Sequence, residues 1–213
     1  MNRLSACFPL LSLIFFMIFF SACSQQKLAD FEKTQPDFSL IDFFEGHEEL
    51  QNKGRIQGGL NEDSKKSTDV SVRPRDLEKA EYKAVKNYVE VLFDCYDDYS
   101  EQWPFIKQVL PRAEIGSFNI QRYETGGHFQ KVHSERTTLG TAHRVFAWMT
   151  YLNDVEDGGS TRFVHHDIEV QPREGKTLIW PAEWTHAHNA RVLNSGVKYI
   201  ITGWMHFTAD SVV

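Results

Sequence analysis

Cysteine is scarce in this chain of 213 residues, which contains three cysteines: Cys7, Cys23 and Cys95. Because two of them lie near the N-terminus, the body of the chain cannot form the disulfide framework that stabilises small secreted domains. Cys95 falls within a predicted amphipathic helix, where a small buried apolar side chain is the expected role. The fold must therefore depend on a hydrophobic core, which one domain of this length can bury.

The chain also lacks an excess of positive charge. It has 23 lysine and arginine residues against 29 aspartate and glutamate residues, which gives a formal net charge of -6. Proteins that bind the phosphate backbone of nucleic acids usually carry a basic surface. The composition therefore argues against nucleic acid as a partner and leaves a peptide, a protein or a small molecule as the expected substrate or ligand.

The N-terminus lacks an apolar run of the ~20 residues that a membrane-spanning helix usually needs. Arg3 precedes an uncharged stretch over residues 8–20, and small residues then lead into Cys23. This order predicts a signal peptide over residues 1–23 and export to the periplasm or the secretory pathway. The alternatives are an uncleaved membrane anchor and a lipoprotein signal with lipid on Cys23, although Phe20 stands where leucine is usual. A mis-assigned start codon ahead of a cytoplasmic protein is the remaining interpretation.

The rest of the chain divides into a linker and one domain. Residues 24–37 are polar and lack periodic apolar positions, so they predict a tether between the leader and a folded domain over residues 38–213. Inside this domain, apolar residues recur at helical spacing from Asp76, a candidate N-cap, to about Tyr99. We therefore expect an amphipathic helix in the N-terminal half of the domain.

Beyond Pro111 the pattern changes to short β-type runs separated by turn residues such as Gly126 and Gly127. The runs cover residues 117–123, 128–133, 144–152, 167–170, 177–180 and 197–207. Many short strands without helices between them favour a β-sandwich or jelly roll over an alternating α/β fold. The sequence thus predicts a mainly β domain of the α+β class.

Two histidines and a carboxylate form a candidate metal site. His133 and Glu135 are two positions apart, so on an extended strand both side chains point to the same face. A second strand would have to bring His188 in from across the sandwich. Two imidazoles and one carboxylate are the ligands of the facial triad that holds iron(II) with open coordination positions. His186 competes with His188, and in a chain with nine histidines such a pattern also arises by chance.

A lysine on an apolar strand strengthens the metal hypothesis. Lys198 lies ten positions after His188 (188 to 198), within a run of apolar residues where a lysine has little structural purpose. A buried ammonium group needs an anionic partner. A dicarboxylic co-substrate could chelate the metal with one end and place its far carboxylate on Lys198. The alternative is a lysine that extends from an edge strand into solvent.

The order and spacing of these residues resemble the prolyl 4-hydroxylase-like family of Fe(II)- and 2-oxoglutarate-dependent dioxygenases. The resemblance rests on residues 121–135, 151–163, 170–176 and 188–198 together with Trp204, and it covers about residues 115–207. It implies a double-stranded β-helix, or jelly-roll, core with flanking N-terminal helices. It also implies Fe(II), 2-oxoglutarate and O₂ as cofactors, with ascorbate as a reductant.

Carried over to this chain, the resemblance makes His133, Glu135 and His188 the iron ligands and makes Lys198 the partner of the distal carboxylate of 2-oxoglutarate. It also places two tyrosines at the co-substrate pocket, Tyr123 and Tyr151. The alternative for each tyrosine is a core aromatic residue whose hydroxyl is satisfied locally. Trp204 is expected either in the pocket wall or in the core.

Glu135 departs from the commonest pattern of the family, which has aspartate at this position. Glutamate keeps the charge and the donor type, but its extra methylene requires the carboxylate to fold back toward the metal. We expect a tolerated variant. The alternatives are an altered metal geometry and a relic that binds metal without turnover.

The sequence therefore predicts an enzyme that hydroxylates a C–H bond, with a prolyl residue of a peptide or protein as the best-known target of the family. Free amino acids and other small molecules stay open as substrates. The alternative function is a non-catalytic, metal-binding jelly-roll lipoprotein that acts as a binding or interaction module. This alternative predicts metal binding without formation of succinate.

Overall fold

The computed structural model describes residues 39–56 and 58–208. The predicted leader over residues 1–23 and the predicted tether over residues 24–37 lie outside the described residues and stay predictions. Within the described part of the chain, every helix is too short or too polar to cross a membrane.

The described residues form three α-helices and twelve β-strands, with short 3-10 turns between them. The helices are α1 (Leu40–Glu45), α2 (Lys83–Gln102) and α3 (Phe105–Val109). The strands are β1 (Gln51–Lys53), β2 (Lys65–Lys66), β3 (Thr68–Val72), β4 (Glu114–Ile115), β5 (Phe118–Glu124), β6 (His128–His133), β7 (Arg144–Tyr151), β8 (Thr161–Phe163), β9 (Ile168–Val170), β10 (Thr177–Pro181), β11 (His188–Ala190) and β12 (Val197–His206).

The strands make two antiparallel sheets. The larger sheet has seven strands in the order β1-β3-β5-β12-β7-β10, and β4 pairs with the end of β12. The smaller sheet has five strands in the order β2-β6-β11-β8-β9. Side chains from both sheets pack together in one apolar cluster, among them Tyr123 and Met149 from the larger sheet and Phe163 and Val170 from the smaller one. This is the sandwich that the sequence predicts, and the prediction of a mainly β fold is confirmed.

The larger sheet is covered on its outer face by α2. In β7, Phe146 and Trp148 pack on the helix side, while Ala147 and Met149 point between the sheets. Tyr88 of α2 lies 6.0 Å from Trp148, measured between ring centroids. Because both faces of β7 are buried, its residues 145–149 are all apolar instead of alternating with polar ones. Burying each large side chain of this kind contributes about 1.5–3 kcal/mol.

The same two-sided arrangement explains where polar side chains of β12 point. Tyr199 and Ile201 pack with the helical layer, whereas Lys198 and Ile200 face the space between the sheets. Alternation of side chains along a strand therefore places Lys198, despite its charge, on the inner face of the sandwich.

The predicted start of the long helix is wrong. The structure begins α2 at Lys83, and two 3-10 turns occupy Pro74–Glu78 and Ala80–Tyr82. The carboxylate of Asp76 does not cap α2. Instead it accepts hydrogen bonds from the backbone and side chain of Arg73 and forms an ion pair with Lys79. These local contacts stabilise the 3-10 turn, so α2 begins seven residues later than predicted (76 to 83).

A buried ion pair fixes the N-terminal strands to the sandwich. The ammonium group of Lys65 in β2 lies 2.5 Å from the carboxylate of Asp69 in β3, and these residues are 3% and 8% exposed. Ser67 and Gln121 donate further hydrogen bonds to Asp69. Because β2 pairs with the smaller sheet and β3 with the larger one, the ion pair links the two sheets.

We expect the substitution Asp69→Asn to lower the free energy of unfolding by about 3–5 kcal/mol, because it leaves the Lys65 ammonium group buried without a counter-charge. Urea unfolding followed by circular dichroism measures the change. The control is Asp63→Asn, at an exposed position. Equal stability of the two variants would contradict a structural role for the ion pair.

Candidate active site

The two candidate histidine ligands come from neighbouring strands of the smaller sheet. His133 ends β6, and His188 begins β11 and pairs with it directly in the antiparallel ladder. Their ring centroids are 4.4 Å apart. The expectation that a strand from across the sandwich supplies His188 is therefore wrong. An adjacent strand supplies it, and cross-strand pairing holds the two imidazoles side by side.

Glu135 lies just beyond the end of β6, where its backbone N–H donates to the carbonyl of Ala182. Its Oε1 atom is 3.6 Å from Nε2 of His133 and 3.3 Å from Nε2 of His188. One donor atom from each of the three residues lies within 4.8 Å of the others. The longer glutamate side chain thus reaches the position that the triad requires.

Hydrogen bonds set the tautomers of both histidines. Nδ1 of His133 donates to the carbonyl of Lys131 at 2.8 Å, and Nδ1 of His188 donates to the carbonyl of His186 at 2.9 Å. In each ring Nε2 is therefore the nitrogen directed at Glu135. It donates to the carboxylate when the ring is protonated, and it offers a lone pair to a metal when the ring is neutral. Two Nε2 atoms and one carboxylate facing a common point fit iron(II).

The carboxylate of Glu135 is held in its ionised form. Burial raises the pKa of Glu135, but the hydrogen bond and the charge of His188, the charge of His133 and a hydrogen bond from Trp204 outweigh burial and bring the pKa to about 2. Nε1 of Trp204 donates to Oε2 at 2.7 Å, which leaves Oε1 directed at the histidines. The guanidinium group of Arg144 stacks 3.6 Å from the centroid of the Trp204 ring and fixes that ring in place.

His186 does not join the cluster. It ends the 3-10 turn Trp184–His186, and its ring lies 4.8 Å from the ring of His166 instead of facing Glu135. Its backbone carbonyl orients His188. The structure thus places His186 next to the site, and of the two competing histidines His188 is the one that joins the triad.

Lys198 lies on the inner face of β12, directly opposite Tyr123 of β5. It is 2% exposed, and its Nζ atom donates to the carbonyl of Gly159 at 2.7 Å and lies 4.5 Å from the centroid of the Tyr123 ring. Burial lowers the pKa of Lys198 to about 7. No described carboxylate forms an ion pair with it. The group is therefore a buried ammonium that an incoming carboxylate would stabilise.

The two candidate tyrosines occupy different positions. Tyr123 lines the cavity, and its hydroxyl donates to Gln121 at 2.7 Å. Tyr151 is fully buried and its hydroxyl donates to Thr161. Tyr151 does not line the cavity but lies behind Thr161, which does.

One cavity of about 580 Å³ contains all three candidate ligands together with Lys198. This volume lies within the range of ~300–1,000 Å³ that small-molecule sites occupy. Trp204 is part of the wall, which decides between its two expected positions. Apolar side chains surround the candidate ligands: Phe129 stacks on His133 at 4.0 Å between centroids, and Trp180 contacts His188 edge-on.

Sequence reasoning missed several cavity residues. Arg55 and Lys65 come from the N-terminal part of the domain, where no motif marks them, and Lys131 lies inside a motif without a recognised role. Arg144 carried a usable signal, because a charged residue opens an otherwise apolar strand. Arg55, Lys65 and Lys131 reach the cavity only because distant segments of the chain pair with each other, which no local pattern shows.

Residues 118–206 match the 2OG-Fe(II) oxygenase superfamily. A probable prolyl 4-hydroxylase 9 of Arabidopsis thaliana is 27% identical over 123 residues, which cover 46% of this chain and 43% of that protein. The chain spans less than half the length of the curated relatives that it matches first.

Solved structures show the same fold. A prolyl-4-hydroxylase of Pseudomonas putida superposes with a TM-score of 0.58 at 18% identity and covers 89% of each chain. A prolyl hydroxylase of Trichoplax adhaerens, solved with a peptide fragment of hypoxia inducible factor, gives a TM-score of 0.60 at 11% identity and covers 86% of this chain and 90% of that one. Residues 118–206, which carry the triad, are thus similar to the 2OG-Fe(II) oxygenase superfamily and to its prolyl 4-hydroxylases.

Proposed function

We propose that this protein is an Fe(II)- and 2-oxoglutarate-dependent dioxygenase that hydroxylates a C–H bond, with a prolyl residue of a peptide or protein as the favoured target. One observation carries the proposal: His133, Glu135 and His188 converge in the same cavity as the buried ammonium group of Lys198. A metal triad alone would fit many proteins. A triad with a buried cation in the same cavity fits a chelating dicarboxylate.

We assign the metal to Nε2 of His133, Nε2 of His188 and the carboxylate of Glu135. Bound iron(II), with 2-oxoglutarate and O₂, supplies the oxidising power for hydroxylation and releases succinate and carbon dioxide. A metal held by these three residues would keep coordination positions for the co-substrate and oxygen. The hydrogen bonds from Trp204 to Glu135 and from both Nδ1 atoms to backbone carbonyls hold the ligands in this orientation.

Lys198 binds the distal carboxylate of 2-oxoglutarate. Its ammonium group is already held by the carbonyl of Gly159, so little side-chain freedom is lost when the anion binds. The carboxylate also supplies the counter-charge that the cavity wall lacks around Lys198. Because Lys198 is buried, the attraction between its ammonium group and the carboxylate is strong. Tyr123, whose ring contacts the ammonium group, closes the apolar side of this subsite.

The affinity for 2-oxoglutarate should fall as the pH rises above neutrality. Lys198 has a pKa of about 7 without co-substrate, and a bound carboxylate raises that pKa, so binding above this pH requires uptake of a proton. Linkage then predicts a loss of up to about tenfold in affinity for each pH unit above the pKa of the free protein. Anaerobic titration of the iron(II) protein with 2-oxoglutarate at several pH values measures the slope.

The substitution Lys198→Met supplies the control for this pH dependence. Without the ammonium group, the affinity of the variant should be low and nearly independent of pH across the same range. An equally steep slope in wild type and variant would assign the pH dependence to the metal ligands and would remove Lys198 from the explanation.

The reaction itself is tested with short peptides that contain a single proline. The purified chain, supplied with iron(II), 2-oxoglutarate, ascorbate and isotopically labelled oxygen, should transfer one labelled oxygen atom to the peptide and one to succinate. Mass spectrometry measures both products. Labelled succinate without a labelled peptide would retain the enzyme class and exclude these peptides as substrates. Metal binding without succinate would favour the alternative of a metal-binding interaction module.

A further inference from the structure

The charge of the cavity wall is opposite in sign to that of the whole chain. Five of the described residues that line the cavity are basic, namely Arg55, Lys65, Lys131, Arg144 and Lys198. Glu135 is the only carboxylate among the described lining residues. The complete sequence has 29 acidic and 23 basic residues, so composition does not account for this enrichment. A concentration of one charge sign in a cleft focuses the electrostatic potential there.

Three of these cations already have functions. Lys198 is assigned to the co-substrate. Lys65 is neutralised by Asp69 at 2.5 Å. Arg144 stacks on Trp204, donates to the backbone carbonyl of Glu135 at 2.9 Å and lies 3.8 Å from its carboxylate, so it supports the metal ligand.

Arg55 and Lys131 are the two cations that have no such function. Neither forms an ion pair with another described residue, and both residues are exposed and line the cavity. Lys131 lies two positions before His133 on β6, so its side chain leaves the strand on the same face as the candidate metal ligand. An anion bound there would be close to the metal.

Arg55 comes from outside the segment that matches the superfamily. It precedes the turn that the Ile56–Gly59 bridge closes, in the connection between β1 and β2. Pairing of Lys65 with Phe129 ties this connection to β6, the strand that also carries Lys131. The N-terminal part of the domain thus adds a cation to a cavity whose metal ligands come from the matched segment.

We infer that the primary substrate carries a carboxylate near the carbon that is hydroxylated, and that Arg55 and Lys131 bind this carboxylate. The inference rests on the proposed function and names its substrate class. The carboxylate could belong to an acidic side chain of a peptide or to a small carboxylic acid. In both cases the negative charge of the rest of the protein repels acidic ligands elsewhere, and the cavity concentrates them.

Matched peptides separate this substrate class from the others. We would titrate the anaerobic protein, loaded with iron(II) and 2-oxoglutarate, with proline peptides that differ only in a flanking glutamate, glutamine or lysine, using calorimetry. Glutamate peptides should bind about tenfold more tightly than glutamine peptides, which corresponds to ~1.4 kcal/mol. The preference should shrink as salt is added, because screening weakens partly exposed ion pairs. Equal or weaker binding of the glutamate peptides, with no preference in the small-molecule comparison below, would overturn the inference.

Substitutions then assign the preference to residues. Arg55→Gln and Lys131→Gln should each reduce the ratio of glutamate to glutamine affinity, and Lys131→Glu should favour the lysine peptide. Arg112→Gln and Lys107→Gln are matched controls at exposed positions outside the cavity and should keep the wild-type ratio. A ratio that is unchanged in both cavity variants would contradict the assignment to these two cations.

Two further comparisons identify the source of the carboxylate and separate the two proposals. Comparing the binding of free proline with that of prolinamide tests whether the ligand is a small carboxylic acid. A preference for free proline, without a preference among the peptides, assigns the carboxylate to a small molecule.

The peptide titrations are repeated on protein without iron and 2-oxoglutarate. If the protein does not bind iron and 2-oxoglutarate but still prefers glutamate peptides, the dioxygenase function is wrong and the preference for a carboxylate stands. If the protein binds both cofactors and prefers neutral or basic ligands, the dioxygenase function stands and the inferred substrate class is wrong.

Discussion

The substitution His188→Ala should abolish iron-dependent formation of succinate. His188 supplies one of three candidate donors, and its Nε2 atom lies 3.3 Å from Glu135. Loss of residues that only support metal ligands typically costs 10–100-fold in metal affinity or activity, so loss of a ligand should cost more than about a hundredfold. Iron content after anaerobic loading and gel filtration measures binding, and succinate formation measures turnover.

The control for this variant is His165→Ala, which removes an exposed histidine outside the triad. It should bind iron and form succinate as the wild type does. Circular dichroism must show that both variants are folded. Iron binding by folded His188→Ala at the wild-type level would remove His188 from the ligand set.

The substitution Lys198→Met should produce two effects of opposite direction. The concentration of 2-oxoglutarate needed for half-maximal turnover should rise about a hundredfold, equivalent to ~3 kcal/mol, because a buried charge pair loses one partner. In the absence of co-substrate, the variant should be more stable than the wild type. Lys198 is 2% exposed, and an apolar side chain of similar length avoids the cost of burying an amine that has no counter-charge.

This combination distinguishes a binding residue from a residue that merely packs in the core. Thermal unfolding with and without 2-oxoglutarate measures the stability effect, and steady-state kinetics measure the binding effect. Lys107→Met, at an exposed position, is the matched control and should change neither quantity. A destabilised variant with unchanged affinity for 2-oxoglutarate would show that Lys198 supports the fold rather than the co-substrate.

Local patterns in the sequence carried enough information for the fold class, and the family resemblance added the donor set. Strands β5, β6, β7, β10 and β12 are long enough to have a recognisable pattern, and all five were predicted within a few residues. The mainly β jelly-roll class and the family resemblance are confirmed. Spacing along the chain also drew attention to His133, Glu135, His188 and Lys198, which the structure brings into one cavity.

Local sequence patterns could not predict which distant strands pair with each other. Strands β2, β8 and β11 have two or three residues, too few for any periodicity, and their positions depend on neighbours far along the chain. For this reason His188 was expected across the sandwich, whereas it lies beside His133. The predicted start of α2 was wrong because the carboxylate of Asp76 accepts a hydrogen bond from Arg73 and pairs with Lys79 instead of capping the helix.

The clustering of cations around the cavity also could not be read from the sequence. Arg55 and Lys131 are 76 positions apart (55 to 131), and each looks like an ordinary surface residue in its local context. Their common location follows from the pairing of β2 with β6. The substrate class proposed above therefore depends on the fold, whereas the candidate metal ligands were accessible from their spacing together with the family resemblance.

The measurement that decides most directly whether this protein is an Fe(II)- and 2-oxoglutarate-dependent dioxygenase is succinate formation by the purified chain, supplied with iron(II), ascorbate, 2-oxoglutarate and oxygen. We predict succinate above background that requires both iron and oxygen, disappears in His188→Ala and needs more 2-oxoglutarate in Lys198→Met. Succinate at background in the wild type, with no binding of iron or 2-oxoglutarate, would contradict this function.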